Sequence, residues 1–220
     1  MATHFVKMPE PAERPGKPRV APSMNAGIIP FCACVLGLLA LVLAYWQATS
    51  RGDEPTGLKN LPDITHCVLK QPERGVFLSL FMPACMLMAG SWAMGAATTK
   101  WAWKLGLMAC ALLIVGEAML DEHPNWTVHT IGATGFFLFS MAAQCMRAWS
   151  PAGELPASLA AKRVIAIFNL AVLVLDGVLA ALKQPSWESN LCEWTLAFSV
   201  IAYHATFAVD LANARITLIM

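Results

Sequence analysis

The sequence predicts an all-α membrane protein, a bundle of six transmembrane helices with both termini in the cytosol. Three observations predict this fold. Hydrophobic residues make up 57% of the 220-residue chain and charged residues only 13%, which is about half the charged share of a typical soluble domain. Six separate windows are apolar and long enough to cross a bilayer. Lysine and arginine are unevenly divided between the segments that join these windows.

The first 26 residues precede the first window and are rich in proline and charge. Such a composition is typical of disordered segments, so we expect residues 1–26 to form a disordered cytosolic tail. The apolar stretch that follows is long enough to remain as a helix, which argues against a cleaved signal peptide. Residues 27–218 are expected to form one six-helix transmembrane domain.

The six predicted spans follow from length and apolar content. A bilayer core about 30 Å thick requires roughly 20 apolar residues per helix. The predicted spans are 27–46, 76–97, 101–120, 126–145, 164–182 and 191–211. None alternates with the period of two that is typical of a barrel strand. Tryptophans lie at or near most of the predicted ends, as expected for amphipathic rings at the headgroup level.

The basic residues predict the orientation. Ten of them lie in the tail, near the second and fourth loops and at the C-terminus: Lys7, Arg14, Lys17, Arg19, Lys100, Lys104, Arg147, Lys162, Arg163 and Arg215. Five lie in the first and fifth loops: Arg51, Lys59, Lys70, Arg74 and Lys183. Because the richer side is cytosolic, the first, third and fifth loops are predicted to face the lumen or the exterior.

Composition also limits the partners and cofactors. A net charge of +1 provides no basic surface for nucleic acid, so membrane lipids, and other membrane proteins as a further class, are the expected partners. We expect no cofactor. The histidines within spans, His129 and His204, lie at different depths, which does not suit a haem with two histidine ligands. Retinal would require a lysine at mid-membrane, and the predicted spans contain none there. Zinc is disfavoured because the chain has no CxxC pair.

Ionisable side chains within spans are costly, which makes them candidates for function. The candidates for a lipid-binding or polar pocket are Glu117, His129, Asp176, Glu193 and His204. At a rise of about 1.5 Å per residue, the first four lie within about two turns of the outer ends of four different helices. They are therefore predicted to face one another in the outer half of the bundle. His204 follows Glu193 by 11 residues, on nearly the same helix face but deeper.

Three interpretations of these residues stay open. The side chains could pair with one another and stabilise the bundle, or line a pocket for a lipid headgroup, or carry out acid–base chemistry on a lipid ester through His129 and a carboxylate. No nucleophile motif such as GxSxG is present, so no catalytic residue is assigned and an enzyme is not the expected class. Asp210, near the cytosolic end, is expected only to reach water.

Two cysteines are distinguished by their positions. Cys67 in the first loop and Cys192 at the start of the sixth span both fall on the predicted oxidising side. A disulfide between them is predicted. The remaining cysteines fall within spans or at their edges and are expected to pack as small core residues.

Short polar strings mark the chain in a definite order. They are Leu61-Pro62-Asp63-Ile64-Thr65, Gln71-Pro72-Glu73-Arg74-Gly75-Val76-Phe77, His129-Thr130-Ile131-Gly132-Ala133 and Glu193-Trp194-Thr195-Leu196-Ala197-Phe198. With these strings on a six-span frame, residues 27–218 resemble the superfamily that unites the damage-regulated autophagy modulators (DRAM), the Frag/Sfk-type proteins and the post-GPI-attachment lipid-remodelling factor. The resemblance carries over Pro72, Glu73, His129, Gly132, Glu193 and Trp194 as family positions and assigns them no reaction.

The resemblance implies a multi-pass protein of the endomembrane system (lysosome, Golgi or ER) or the plasma membrane. Our first hypothesis is a non-enzymatic, DRAM-like regulator of lipid organisation or autophagy. The alternative is a GPI-anchor or phospholipid remodelling factor that acts on a lipid ester. A carboxylate bonded to His129, in a pocket deep enough for an acyl chain, would favour the alternative. A pocket sealed by mutual ion pairs would favour the first hypothesis.

Overall fold

The computed structural model describes residues 23–54, 57–95, 101–120, 125–150, 154–182 and 187–217. Within these ranges the chain forms seven α-helices and one pair of short strands. In order, the elements are β1 (Ser23–Asn25), α1 (Ile28–Ser50), a 3₁₀ turn (Leu58–Asn60), α2 (Ile64–Cys67), α3 (Glu73–Met94), α4 (Ala102–Ala118), α5 (Trp126–Trp149), α6 (Pro156–Ala181), α7 (Trp187–Asp210) and β2 (Arg215–Thr217).

The predicted all-helical class is confirmed. The six long helices, of 17 to 26 residues, correspond one to one with the six predicted windows. By length and composition, α1, α3 and α6 are each apolar enough to cross a membrane. The sequence did not predict α2, a four-residue helix in the first loop whose start is capped by the Asp63 carboxylate.

The six long helices form a closed ring in which each one packs mainly against its neighbours in the chain. The contacts run from α1 to α3, then through α4, α5 and α6 to α7, and α7 packs back against α1. Sequential packing of this kind is typical of helices that are joined by short connections. The interior of the ring is where the polar side chains of different helices can meet.

The strands correct the prediction of a disordered tail up to residue 26. Residues 1–22 lie outside the described residues, but β1 pairs antiparallel with β2, and Met24 stands opposite Ile216. The backbone N–H of Ala26 extends this pairing by donating to the Ala214 carbonyl at 2.9 Å. The pairing forms because the start of α1 and the end of α7 lie side by side at the same end of the bundle.

The start of α6 also differs from the prediction. The predicted span begins at residue 164, directly after the charged residues Lys162 and Arg163, whereas the helix begins at Pro156. Lys162 is fully buried and forms an ion pair with the carboxylate of Asp210 on α7. Asp210 therefore binds a buried lysine instead of only reaching water, and a buried charge of this kind requires such a partner.

Helices α4 and α5 approach most closely where two glycines face each other. A Cβ atom added to Gly132 on α5 would lie 2.6 Å from the Gly116 Cα atom and 2.6 Å from the Leu112 carbonyl oxygen on α4. No real side chain fits at that distance, so the absence of both Cβ atoms permits the contact. The family position Gly132 therefore has a packing role in this structure.

We expect Gly132→Ala to destabilise the bundle, because the added methyl group must separate α4 from α5. Overpacking of this kind typically costs about 1–3 kcal/mol. Gly177→Ala on α6 is the matched control, since nothing lies within 4 Å of its added Cβ atom. The control should melt at or above the wild-type temperature, because alanine favours a helix over glycine by about 1 kcal/mol. Thermal melts of both variants in detergent measure the difference, and equal melting temperatures would contradict the close-packing role.

Candidate functional site

The first loop is attached to α7 by three neighbouring side chains of that helix. Asn190 donates through its side-chain amide to the Leu61 carbonyl at 2.7 Å, and the Trp194 indole N–H donates to the Pro62 carbonyl at 2.8 Å. Between them, a carboxylate oxygen of Glu193 accepts from the backbone N–H of Ile64 at 3.2 Å. These three positions share one face of a helix, since they are three and four residues apart.

The bound segment, residues 61–68, is called the capping loop below. It contains α2, which begins where the Asp63 carboxylate accepts from the backbone N–H of His66 at 2.6 Å. Cys67 and Val68 at its end are each 1% exposed. They pack with Phe77 and Trp194 in an apolar cluster between α1, α3 and α7. The capping loop is thus held by polar contacts at its start and by apolar burial at its end.

Thr65, in the middle of α2, connects the capping loop to the opposite side of the ring. Its hydroxyl oxygen lies 3.0 Å from Nε2 of His129 at the start of α5. The other ring nitrogen of His129, Nδ1, lies 3.7 Å from a carboxylate oxygen of Glu117 at the end of α4. A hydroxyl, an imidazole and a carboxylate therefore stand in a row.

The backbone around Glu117 fixes this row. The Gly116–Gly132 contact brings the end of α4 against the first turn of α5, where His129 lies. Arg74, 5% exposed at the start of α3, donates through Nη2 to the backbone carbonyl of Glu117 at 3.0 Å. Its positive charge next to the carboxylate offsets part of the cost of burying Glu117.

A cavity of about 50 Å³ lies beneath the capping loop, inside the ring. It is called the capped cavity. One end is polar and is formed by Thr65, Glu117, His129 and Glu193. The remaining wall is apolar and includes Leu41, Phe77, Phe81, Met88, Leu113, Phe136, Phe137, Val200 and Ile201. In this closed form the space suits a few water molecules and no acyl chain.

A wider groove of about 500 Å³ lies beside the capped cavity, between α5, α6 and α7. It is called the side groove. Its polar lining comprises Asp63, Thr134, Asp176, Ser189, Asn190 and Glu193. Asp176 accepts from the Ser189 hydroxyl at 2.7 Å. Glu193, Ala133 and Phe137 line both the capped cavity and the side groove, so the two spaces adjoin at these side chains.

The structure brings together three of the five predicted pocket residues. Glu117, His129 and Glu193 all line the capped cavity. Asp176 stands on α6 and lies in the side groove, which meets the capped cavity at Glu193. The prediction thus located the outer cluster but not its division into two spaces.

His204 does not join the pocket. It lies on nearly the same face of α7 as Glu193, as predicted, but three turns further along the helix. There its ring packs against Trp92 and Phe207 at centroid distances of 5.7 Å, and its Nδ1 lies 2.9 Å from the Val200 carbonyl of its own helix. His204 is therefore too far along α7 to reach the capped cavity, although it shares a helix face with Glu193.

The structure also gives roles to the remaining family positions. Pro72 precedes the first residue of α3, and Glu73, 1% exposed, forms an ion pair with Arg51 at 3.2 Å. Gly132 permits the helix contact described above, and Trp194 holds the capping loop. Thr65 and Asn190 were not among the predicted site residues, because ionisable side chains within spans were the signal for the site and both of these side chains are uncharged.

The predicted disulfide is not formed, since Cys67 and Cys192 are both free. The two side chains lie on different sides of α7. Cys67 packs on the side of Trp194, whereas Cys192 precedes Trp194 by two residues and therefore points to the other side of α7. It follows Ser189 by three residues and shares the face directed at α6. Among the described residues, no group of three or more His, Cys, Asp or Glu side chains is placed to hold a metal ion.

The chain matches a known protein family. The model described as "Frag1/DRAM/Sfk1/Cwh43P N-terminal domain" matches residues 25–214. The match includes the capping loop and all six long helices. No curated protein and no solved structure matches the chain.

We expect Trp194→Phe to expose Cys67 to a maleimide. Burial, together with the nearby carboxylates of Glu54, Asp63 and Glu193, raises the pKa of Cys67 to about 12. Its thiol should therefore react slowly near neutral pH, because the thiolate is the nucleophile. Losing the bond from Trp194 to the Pro62 carbonyl costs about 1 kcal/mol, so opening of the loop and labelling should increase about fivefold.

Peptide mass spectrometry after timed labelling measures this rate at Cys67. Trp149→Phe is the matched control, since Trp149 at the end of α5 is 52% exposed and distant in sequence from the capping loop. It should label at the wild-type rate. Equal rates in all three proteins would show that the indole bond does not hold the loop.

Proposed function

Because the chain belongs to the Frag1/DRAM/Sfk1/Cwh43P family, we propose that it is a six-span membrane protein that binds a membrane lipid at the capped cavity. Both termini are in the cytosol, and the capping loop faces the lumen or the exterior. The protein acts as a non-enzymatic regulator of lipid organisation, of the DRAM-like type, in the endomembrane system or the plasma membrane.

The exposed side chains of the long helices support embedding in a bilayer. Large apolar side chains of α6 and of its C-terminal cap that are at least half exposed include Val164, Ile167, Phe168, Val174, Leu175, Val178 and Leu182. On α1, Phe31 and Trp46 are each about 60% exposed. A soluble protein rarely exposes contiguous apolar surface of this extent. Each of the six helices has the length needed to cross a bilayer core, with α4 the shortest at 17 residues.

One observation carries the lipid-binding proposal: residues from four separate elements form the polar end of a cavity whose other walls are apolar. Thr65 comes from the capping loop, Glu117 from α4, His129 from α5 and Glu193 from α7. A lipid has the same division, with a polar headgroup region joined to acyl chains. The side groove, whose volume lies within the roughly 300–1,000 Å³ of typical ligand sites, supplies space for the headgroup next to Glu193.

Entry of a chain requires the capped cavity to widen. The capping loop covers this cavity, and side-chain bonds from α5 and α7 hold it against the bundle. Movement of the loop, with loss of these bonds, would open the cavity. A lipid that binds the open form better than the closed form shifts the population toward the open form. The small volume of the closed form is therefore compatible with lipid binding.

The alternative function, remodelling of a lipid ester in a GPI anchor or phospholipid, is favoured by a different observation. His129 has a carboxylate next to one ring nitrogen and a hydroxyl next to the other. This is the arrangement that a general base requires.

The proposed orientation predicts that two exposed positions label from opposite sides of the membrane. Asn60 lies in the first loop and Ser150 at the end of α5. With only the plasma membrane permeabilised, an impermeant maleimide should label Ser150→Cys of an endomembrane protein and spare Asn60→Cys until full solubilisation. In the plasma membrane, Asn60→Cys should label in intact cells. Wild-type protein provides the background, and labelling of both positions from one side would refute the six-span topology.

Lipid binding predicts a tightly retained lipid. Native mass spectrometry of the purified chain should show an adduct with the mass of one membrane lipid. Ala197→Leu should remove this adduct, because Ala197 lines the capped cavity and the larger side chain fills it. Ala160→Leu on the exposed face of α6 is the control and should retain the adduct. Equal adducts in all three proteins would mean that the lipid merely surrounds the helices.

A further inference from the structure

Three side chains at the polar end of the capped cavity have the order of a catalytic relay. The Thr65 hydroxyl oxygen lies 3.0 Å from His129 Nε2, and His129 Nδ1 lies 3.7 Å from a Glu117 carboxylate oxygen. The first distance is a hydrogen bond. The second is too long for a hydrogen bond, so Nδ1 and the carboxylate must move closer for the relay to form; such contacts of a catalytic base often tighten only when substrate binds.

The Glu117 carboxylate, 3.7 Å from Nδ1, and a contact of the ring with the Gly116 backbone favour a proton on Nδ1 of His129. A proton on Nδ1 faces a negative oxygen, whereas a lone pair there would be repelled by it. Nδ1 is therefore the protonated nitrogen of the neutral ring, and Nε2 is left as an acceptor. The Thr65 hydroxyl then donates to Nε2, which is the geometry in which a base removes the proton of a nucleophile.

Two atoms of this row are buried without a hydrogen-bond partner among the described residues. They are Nδ1 of His129 and Oε2 of Glu117. Both residues are only 6% exposed, and both line the capped cavity. Unpaired buried polar atoms are costly, and their presence at a cavity points to a ligand or to a change of geometry when a ligand binds.

We propose that Thr65 is the nucleophile of an acyl-transfer reaction on an ester-linked lipid, with His129 as general base and Glu117 as its positioning residue. This activity deepens the alternative function, remodelling of a lipid ester, in place of the non-enzymatic role, and it rests on the lipid site proposed above. The lipid ester is the substrate class because ester carbonyls lie where headgroup and acyl chain join. The capped cavity has the same polar-to-apolar boundary at Thr65.

The reaction has two balanced steps. The Thr65 oxygen attacks the ester carbonyl carbon while its proton passes to His129 Nε2, and the bond from that carbon to the lipid alkoxy oxygen breaks. The leaving alcohol takes the proton from His129, which gives a lysolipid and an acyl ester of Thr65. In the second step water, or the hydroxyl of another lipid, gives its proton to His129 and attacks the acyl-Thr65 carbonyl. The acyl group leaves as a fatty acid or a new ester, and Thr65 regains its proton.

The test uses the purified full-length chain in detergent micelles and p-nitrophenyl decanoate as the probe ester. Release of p-nitrophenolate gives the rate, and intact-protein mass spectrometry detects a decanoyl adduct, which peptide mapping assigns to a residue. We expect one adduct, on Thr65. Thr65→Ser should retain both adduct and release, because it keeps a hydroxyl. Thr65→Val and His129→Gln should lose the adduct and slow the release by roughly 10²–10⁴-fold.

Thr49→Val is the matched control. Thr49 is a half-buried threonine at the end of α1, whose hydroxyl likewise makes a hydrogen bond, to the Tyr45 carbonyl at 2.7 Å. It should keep wild-type release and the Thr65 adduct. Glu117→Gln should slow the release without abolishing the adduct, since Thr65 and His129 remain.

Two readouts separate this inference from the lipid-binding proposal. If the wild-type protein retains a lipid in native mass spectrometry but forms no adduct, and Thr65→Val releases p-nitrophenolate as fast as wild type, the relay is overturned and lipid binding stands. If the adduct forms on Thr65 but no lipid is retained, the lipid-binding proposal fails instead. Should Thr65→Val not fold, the wild-type adduct and the Thr65→Ser and His129→Gln variants still decide the result.

Discussion

The contact between Gly116 and Gly132 is the constraint on which the rest of the site depends. Gly132 lets α4 and α5 come this close, since a Cβ atom there would overlap the backbone of α4, and a Cβ atom on Gly116 would lie only 3.1 Å from the Gly132 Cα atom. Each glycine has a functional neighbour. Glu117 follows Gly116 directly, and His129 precedes Gly132 by three residues, one turn earlier on α5. A wider crossing would separate the carboxylate from the imidazole, and Thr65 would then meet a histidine with no fixed tautomer.

The buried charges of the bundle are not all paired to the same extent. At the end near the strands, Lys162 is fully buried but forms an ion pair with Asp210, so each charge has its partner. At the other end, Arg74 donates to the backbone of Glu117 and not to its carboxylate. In a low-dielectric interior a completed pair mainly supports one packing arrangement, whereas an incompletely paired carboxylate keeps its capacity to act on a neighbour. This difference is why the site is assigned to the capped cavity.

Apolar windows and depth arguments predicted much of this architecture. The windows gave the six long helices, and counting residues from the helix ends gave Glu117, His129 and Glu193 as neighbours. The same reasoning failed for Lys162, because a charge in a sequence marks the end of a helix only if water is its partner. Depth arguments could not show that Asp176 lies outside the capped cavity, because the depth of a residue does not reveal which helices are neighbours. The capping loop was missed because an uncharged threonine in a loop gives no signal in a search for buried charge.

The contacts of the capping loop explain which of its side chains matter chemically. The three bonds from α7 reach main-chain atoms of Leu61, Pro62 and Ile64, so they set the position of the loop and do not depend on its side chains. Asp63 and Thr65 are different, because their own side chains make the bonds, one to the start of α2 and the other to His129. Asp63 has a local structural partner that accounts for it. Thr65 is bonded across the ring to a histidine beside a carboxylate, which a loop anchor does not require and a nucleophile does.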